Sequence, residues 1–263
     1  MRYLCLLLIS PLVLFAKVHY AKVEPYESIT LKSAVSAQVT MTKRGLEGTN
    51  VQQATIIQLD DKLDKVDLKS TQASLKLINS MIKTNQSILS ALGDSLGRHK
   101  AYYQRIEGLS TASKTQKDNA FYGYINTKTQ YFSTKEKIDS LKKQQLDLRY
   151  KIAQLKDKID KKEIKIKKKF LYKLLVSDGD FVNPGVALAQ LKDLTRAKLV
   201  LFLEQEELKG IKKRTIYLND QPTEYKIDKI WSVTDEKFIS SYRTEILIKP
   251  HNNFSELLKV EFK

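Results

Sequence analysis

The sequence predicts an α+β fold: a long antiparallel α-helical coiled-coil hairpin inserted between two β segments and followed by a small β-barrel. Three observations carry this. Two stretches of apolar residues spaced three and four apart, nearly equal in length, flank one short break at residues 107–113. The segments outside them alternate with period two, the mark of half-buried strands. The 263 residues include only 9 Gly and 5 Pro, a scarcity that long helices require.

The first element is a targeting segment. Residues 1–16, "MRYLCLLLISPLVLFA", place Arg2 ahead of an apolar run from Tyr3 to Phe15. A run of about a dozen residues falls short of the ~20 that span a bilayer as a helix, and fits the h-region of a secretory signal. Ala16 would be the cleavage residue; Leu14 is larger than usual at its place before the cut, so an uncleaved anchor is the alternative. Both readings put the rest of the chain outside the cytoplasm. Cys5 is the single cysteine and lies in this segment, so the processed chain would hold no thiol for disulfides or catalysis.

Residues 22–60 read as strands and turns. In "SITLKSAVSAQVTMT", Ile29 and Leu31, then Val35, Ala37, Val39 and Met41, keep one parity. Gly45, Gly48 and Asn50 mark a turn, and "VQQATIIQLDD" is a second extended run. The period then changes. Over 61–168 a first seam runs through Leu68, Thr71, Leu75, Ile78, Ile82, Asn85, Leu89, Leu92, Leu96, His99, Tyr103 and Ile106. After the break a second follows Tyr124, Thr127, Tyr131, Thr134, Ile138, Leu141, Gln145, Leu148, Ile152, Leu155 and Ile159, continuing through Lys162 to Ile166. Equal arms around one turn favour a hairpin, and arms of about 45 residues reach roughly 70 Å. At the turn, Gly108 is expected to let the chain reverse and Ser113 to cap the second helix. Polar Asn85 and His99 suit register-setting better than metal binding.

Strands return over 169–195, where Asp178-Gly179-Asp180 and Asn183-Pro184-Gly185 are turn signals. Residues 196–263 hold several short alternating runs, consistent with a small barrel. Trp231, of one parity with Ile227 and Val233, is expected in its core.

Lys and Arg number 46 against 30 Asp and Glu, a net charge of +16, and residues 135–173 alone contribute +9. Such a stretch suits an anionic partner or a solvated helix face. An extracytoplasmic location weighs against nucleic acid. No catalytic constellation is present. His19, His99 and His251 lack metal-ligand spacing, and there is no phosphate loop or nucleophile elbow. Asp178 and Asp180, with Gly179 between them, read as a turn and not as an acid–base pair. Lys62 and Lys65 begin the helix, which argues against cofactor attachment, and no cofactor is expected.

The two β segments look like halves of one unit. The first contains Glu47-Gly48-Thr49-Asn50-Val51 and then Ile57-Gln58-Leu59; the second contains Asp178-Gly179-Asp180-Phe181-Val182 and then Ala189-Gln190-Leu191. The shared Gly-x-x-Val and Gln-Leu pattern, split by an equal-armed hairpin and followed by a barrel, resembles the split biotinyl/lipoyl-like domain of the HlyD-type membrane fusion proteins. These are periplasmic adaptor subunits of tripartite efflux and type I secretion systems. Ala37 and Ala54 stand where the family commonly has Gly, and "KKKFLYKLLVSDGD" departs from its usual opening strand.

The resemblance implies a periplasmic protein associated with the inner membrane. Its partners would be an inner-membrane transporter of ABC, RND or MFS type and a TolC-like outer-membrane channel, with self-association into a ring or funnel and contact with the inner-membrane surface. It also implies a docking site at the hairpin tip, where the family carries Arg-x-x-x-Leu-x-x-x-x-x-x-Ser. Here Tyr102 takes the Arg place, Ile106 the Leu place and Ser113 the Ser place; Arg105, Leu109 and Ser110 complete the candidate site. The alternatives are a secreted coiled-coil structural protein, whose β segments merely cap the helices, and a polyanion binder.

Overall fold

A computed structural model describes residues 17–234, 238–251 and 253–263. The expected signal segment, with Arg2, Cys5 and Ala16, lies outside the described residues. The strands are β1 (His19–Lys32), β2 (Ala37–Thr42), β3 (Thr49–Leu59), β4 (Glu163–Leu174), β5 (Phe181–Val182), β6 (Ala187–Glu204), β7 (Ile216–Leu218), β8 (Gln221–Pro222), β9 (Ile227–Thr234), β10 (Ser241–Ile248) and β11 (Leu257–Phe262). Between β3 and β4 stand α1 (Lys62–Glu107) and α2 (Lys114–Asp160).

Two apolar cores organise the strands. The first gathers Val39, Ile56, Ile57 and Leu59 from before the helices with Leu171, Leu174, Val182 and Leu188 from after them. The segments on either side of the helices therefore fold onto each other. β3 runs antiparallel to β4 from Thr49↔Leu171 to Gln58↔Glu163, and β2 pairs with β5 through Ala37↔Val182. Loops lock the join. The Val39 N–H donates to the Asp180 carbonyl at 2.8 Å, the Gly179 N–H to the Val39 carbonyl at 2.9 Å, and Arg44 reaches the Val176 carbonyl at 3.0 Å. Both turn carboxylates are used locally: Asp178 accepts from Thr42 and Asp180 from the Ser177 N–H.

The second core holds Ala21, Val23, Leu199, Leu201, Leu203, Ile246, Val260 and Phe262. Its strands lie in the order β8-β7-β11-β1-β6-β10-β9. The N-terminal half of β1 belongs here, so the 22–60 segment is not a single unit: Val23 lies in the second core, while Ile29 and Leu31 pack on the first. The parity of β1 is the same throughout, and only its partners decide which core receives each half.

Two further expectations change. The second helix ends at Asp160 and not at 168, and Lys162 and Ile166 leave the seam. From Glu163 the chain pairs with β3, and Ile164 and Ile166 point period-two onto the first core. A step of four residues from Lys162 to Ile166 fits a helix seam and a strand face alike, so spacing alone could not divide them. Trp231 is 38% exposed and Val233 75% exposed, not in a core. β9 pairs only with β10 among the described residues, and its register shifts between Glu245↔Lys229 and Ile246↔Ile227; the one extra residue on β9 lets Ile227 and Ile230 both face the second core and turns Trp231 outward. Its ring lies under the Arg243 guanidinium, 5.2 Å away.

The helices run antiparallel. Gln145 donates to Asn79 at 2.5 Å, Lys151 pairs with Asp67 at 3.0 Å, and Tyr103 stacks on Tyr124 with centroids 5.9 Å apart. The contact line is the one the spacing predicts, with Thr71, Ile82, Asn85, Thr127, Ile138, Leu141 and Leu155 all buried. Side chains approach closely at two glycines: the Tyr131 ring lies 3.6 Å from where a Gly93 Cβ would stand, and His99 lies 3.2 Å from that of Gly123.

The base of the pair is pinned by Lys162, which is 7% exposed. Its ammonium donates to the Asp64 carboxylate and, at 2.7 Å, to the Asp60 carbonyl; Lys158 adds a second pair to Asp64 at 2.8 Å. Burial pushes the Asp64 carboxyl up, but its bonds to Lys158 and Lys162 outweigh this and hold it below the usual carboxylate range. A depressed folded value gives stability that is full above the unfolded value of about 3.9 and is lost as pH falls through the folded one. Lys162→Met should therefore cost about 2–3 kcal/mol at pH 7, and the deficit should shrink toward pH 2 as Asp64 protonates. Urea titrations of both proteins at the two pH values measure this.

Candidate functional site

The turn between the helices lies at the end of the pair opposite the β strands. α1, at 46 residues, extends about 70 Å from the strands that carry it. It closes on Gly108 with φ −77° and ψ −10°, ordinary helical values. The reversal therefore does not use glycine's conformational freedom, contrary to the expectation from sequence. The chain turns within 109–112, where no residue has positive φ. The Leu109 N–H donates to the Ile106 carbonyl at 3.2 Å and the Ala112 N–H to the Leu109 carbonyl at 3.4 Å.

Ser113 caps α2. Its Oγ accepts from the Gln116 N–H at 3.3 Å, and its own N–H donates to Gln116 Oε1 at 2.9 Å. This reciprocal box satisfies two of the orphan donors at the helix start. The opposite end was not foreseen. Lys117 reaches across the turn and donates to the Glu107 carbonyl at 3.0 Å, placing a cation on the negative end of α1. A lysine one turn into a helix that follows a tight reversal was the available signal.

The six candidate residues separate by role. Tyr102 and Arg105 meet as a pair, with the guanidinium 5.6 Å from the ring centroid, since residues three apart share a helix face. Arg105 thus shares a helix face with Tyr102. Ile106 is half-buried in the seam, while Ser110 and Ser113 are exposed. Leu109 is 44% exposed at the apex. Below them Tyr103, Phe121 and Tyr124 form an aromatic cluster, with Tyr103 5.6 Å from Phe121. Of the candidate residues, Arg105 therefore presents a cation, Tyr102 an aromatic face and Leu109 an exposed apolar side chain, on a stiff support.

Elsewhere the described residues offer less. His19 pairs with Glu207 at 2.7 Å and His251 with Glu256 at 2.8 Å, each within its own strand unit. No group of three metal-ligating side chains occurs among the described residues, and no described helix is long and apolar enough to cross a membrane. Lys65 pairs with Asp61 at 2.7 Å. An open cleft of about 600 Å³ lies beside β1 between the two cores, against Val23, Phe170, Tyr172 and Lys192. No unpaired buried polar side-chain atom faces it.

This arrangement of split strands, long helix pair and second strand unit is found in solved structures. MacA from Actinobacillus actinomycetemcomitans superposes with a TM-score of 0.70 at 13% identity, over 95% of this chain and 79% of that one. The chain has the fold of the membrane fusion proteins. The membrane fusion protein Spr0693 from Streptococcus pneumoniae R6 matches with a TM-score of 0.64 at 8% identity, over 94% of this chain and 99% of that one. The periplasmic adaptor protein EmrA matches with a TM-score of 0.51 at 14% identity, over 94% and 99%. No protein-family model and no curated protein matches the sequence. The membrane fusion protein fold is thus kept here with almost no shared sequence.

Replacing Ser113 by Ala should cost about 1 kcal/mol, confined to the first turn of α2. Hydrogen exchange should show faster exchange at Gln116 and Lys117 and unchanged protection along Ile138–Leu155.

Proposed function

We propose that the chain is a periplasmic adaptor that bridges an inner-membrane transporter to a TolC-like outer-membrane channel in an export system. The observation that carries this reading is the separation of roles along the chain. Two sequence segments share one core, and the helix pair emerging between them holds an exposed tip about 70 Å away. In this reading the first strand unit is the split lipoyl-like domain, the helix pair the coiled-coil hairpin, and the second unit the β-barrel. Several copies stand side by side at the inner membrane. Tyr102, Arg105, Ile106, Leu109, Ser110 and Ser113 form the face that docks on the channel, with Ser113 also serving as cap.

A shared core is more than a cap for the helices would need, which favours this reading over a purely structural coiled-coil protein. Nothing in the site calls for catalysis: the tip holds no nucleophile–base pair, and bridging needs only shape, stiffness and complementary contacts.

A photo-crosslinking amino acid at Leu109, expressed in cells that contain the native partners, tests the docking face. The expected result is an adduct with an outer-membrane channel that is lost when the crosslinker is moved to Ile138 in the seam. Adducts absent at Leu109, with normal protein level and intact fold, would overturn tip docking.

A further inference from the structure

One row of cations from each helix lies on the same side of the pair, while Lys137, Lys151 and Lys158 of α2 lie on the other. On α1, Lys62, Lys69, Lys76 and Lys83 recur at seven-residue intervals, and all are exposed. On α2, Lys128, Lys135, Lys142, Arg149 and Lys156 do the same. The hydrogen bond from Gln145 to Asn79 fixes which side this is, because Lys76 precedes Asn79 by three residues and Lys142 precedes Gln145 by three. The opposite side is marked by the Lys151–Asp67 pair. There the α1 line Ser74, Leu77, Met81, Thr84, Ile88, Ala91 carries no charge.

These cations are largely uncompensated. Lys142 has Asp139 at 3.5 Å, and Lys128 lies 5.8 Å from the Tyr124 ring centroid. Lys69, Lys76, Lys83, Lys135, Arg149 and Lys156 have no carboxylate within 4.0 Å among the described residues. On the other side Lys151 and Lys158 are paired, with Asp67 and Asp64. Rows on one side repel one another, and within about a Debye length of their neighbours they bear that cost.

We infer that this side of the helix pair is a docking groove for an acidic amphipathic helix of a partner protein. Three features select a helix. A seven-residue row on a straight helix repeats every ~10.5 Å, which is also the repeat of carboxylates at heptad positions on an incoming helix. The strip between the two rows, Gln72, Asn79 and Gln86, is uncharged, so another helix can approach. On α2 the cations alternate with exposed apolar groups one turn on: Phe132, 51% exposed, follows Lys128, and Leu146, 61% exposed, follows Lys142. A shallow cavity of about 470 Å³ opens on α2 against Ile125, Lys128, Phe132 and Glu136. A flexible polyanion would leave these apolar groups unused. A second copy of this chain is excluded as the occupant, because neither α1 nor α2 has two acidic residues seven apart. The inference does not depend on the adaptor reading.

The test is binding of the full chain to synthetic peptides. The probe is a helix-stabilised 28-residue peptide, about four heptads, with Glu in two adjacent heptad rows and Leu beside them. The comparison is an isomer of equal composition, charge and helicity with the Glu scattered. The patterned peptide should bind at least about tenfold more tightly, and its affinity should fall as salt is raised. The combined variant Lys69→Glu, Lys76→Glu, Lys135→Glu should lose about tenfold or more. The control Lys167→Glu, Lys173→Glu, Lys212→Glu reverses as many charges off the shaft and should bind like the parent. Equal binding of patterned and scattered peptides, binding of poly-L-glutamate as tight as the patterned helix, equal loss in both variants, or no binding at low salt would each overturn the inference. Circular dichroism melts confirm that both variants keep the helix pair.

Discussion

The antiparallel pairing of β1 with β6 holds the β structure of this protein together. The two strands run side by side from Val23↔Leu199 to Lys32↔Ala187 and feed both apolar cores. Their ladder is interrupted where they pass from one core to the other. The register shifts between Pro25↔Ala197 and Glu27↔Asp193. Pro25 has no N–H to give to a ladder, so the break falls where it costs least. The bulge that results on β6 is pinned twice. Arg196 lies 3.9 Å from the Tyr26 ring centroid, and Asp193 accepts from Lys169 at 2.6 Å and from Thr195. The Lys169 and Thr195 hydrogen bonds hold the Asp193 carboxyl down at about 2, so these contacts persist through the neutral range.

From that frame the helix pair needs attachment only at its base. β3 delivers α1 and β4 receives α2 while the two strands are themselves paired, so both helices leave the first core side by side. Lys162 then ties the exit of α2 to Asp60 and Asp64 at the entry of α1. Beyond the base the pair is held by a thin seam and by aromatic contacts near the tip. A two-helix shaft cannot bury most of its surface, and Leu77, Phe132, Leu146 and Tyr150 remain open to solvent along it. This follows from the geometry of two helices and leaves faces that other helices can use.

The seams of both helices, the tip and the Ser113 cap were legible in the sequence because they depend on neighbours three or four residues away. Gly48 and Gly179, read from the sequence as turn residues, both adopt positive φ, where other residues are strained, and the segments that hold them meet in one core. Less legible were the end of α2, where Lys162 and Ile166 satisfy helix and strand spacing at once, and Trp231, whose parity is reset by a bulge. In the tip, the meeting of Arg105 with Tyr102 follows from helical spacing, but the reach of Lys117 to Glu107 needed the turn to be closed.

By itself the sequence determined the local periods, the caps and turns, the excess of cations and the order of the parts. Those are set by side chains acting on their own backbone or on near neighbours. Tertiary structure alone decided which core each half of β1 enters, that Lys162 is buried against Asp64 and not solvated on a helix, and that lysines of two separate helices share one side of the shaft. Each of these depends on residues far apart in the chain meeting at a fixed register. Register across strands and across helices is a property of the packed pair, which no single period contains.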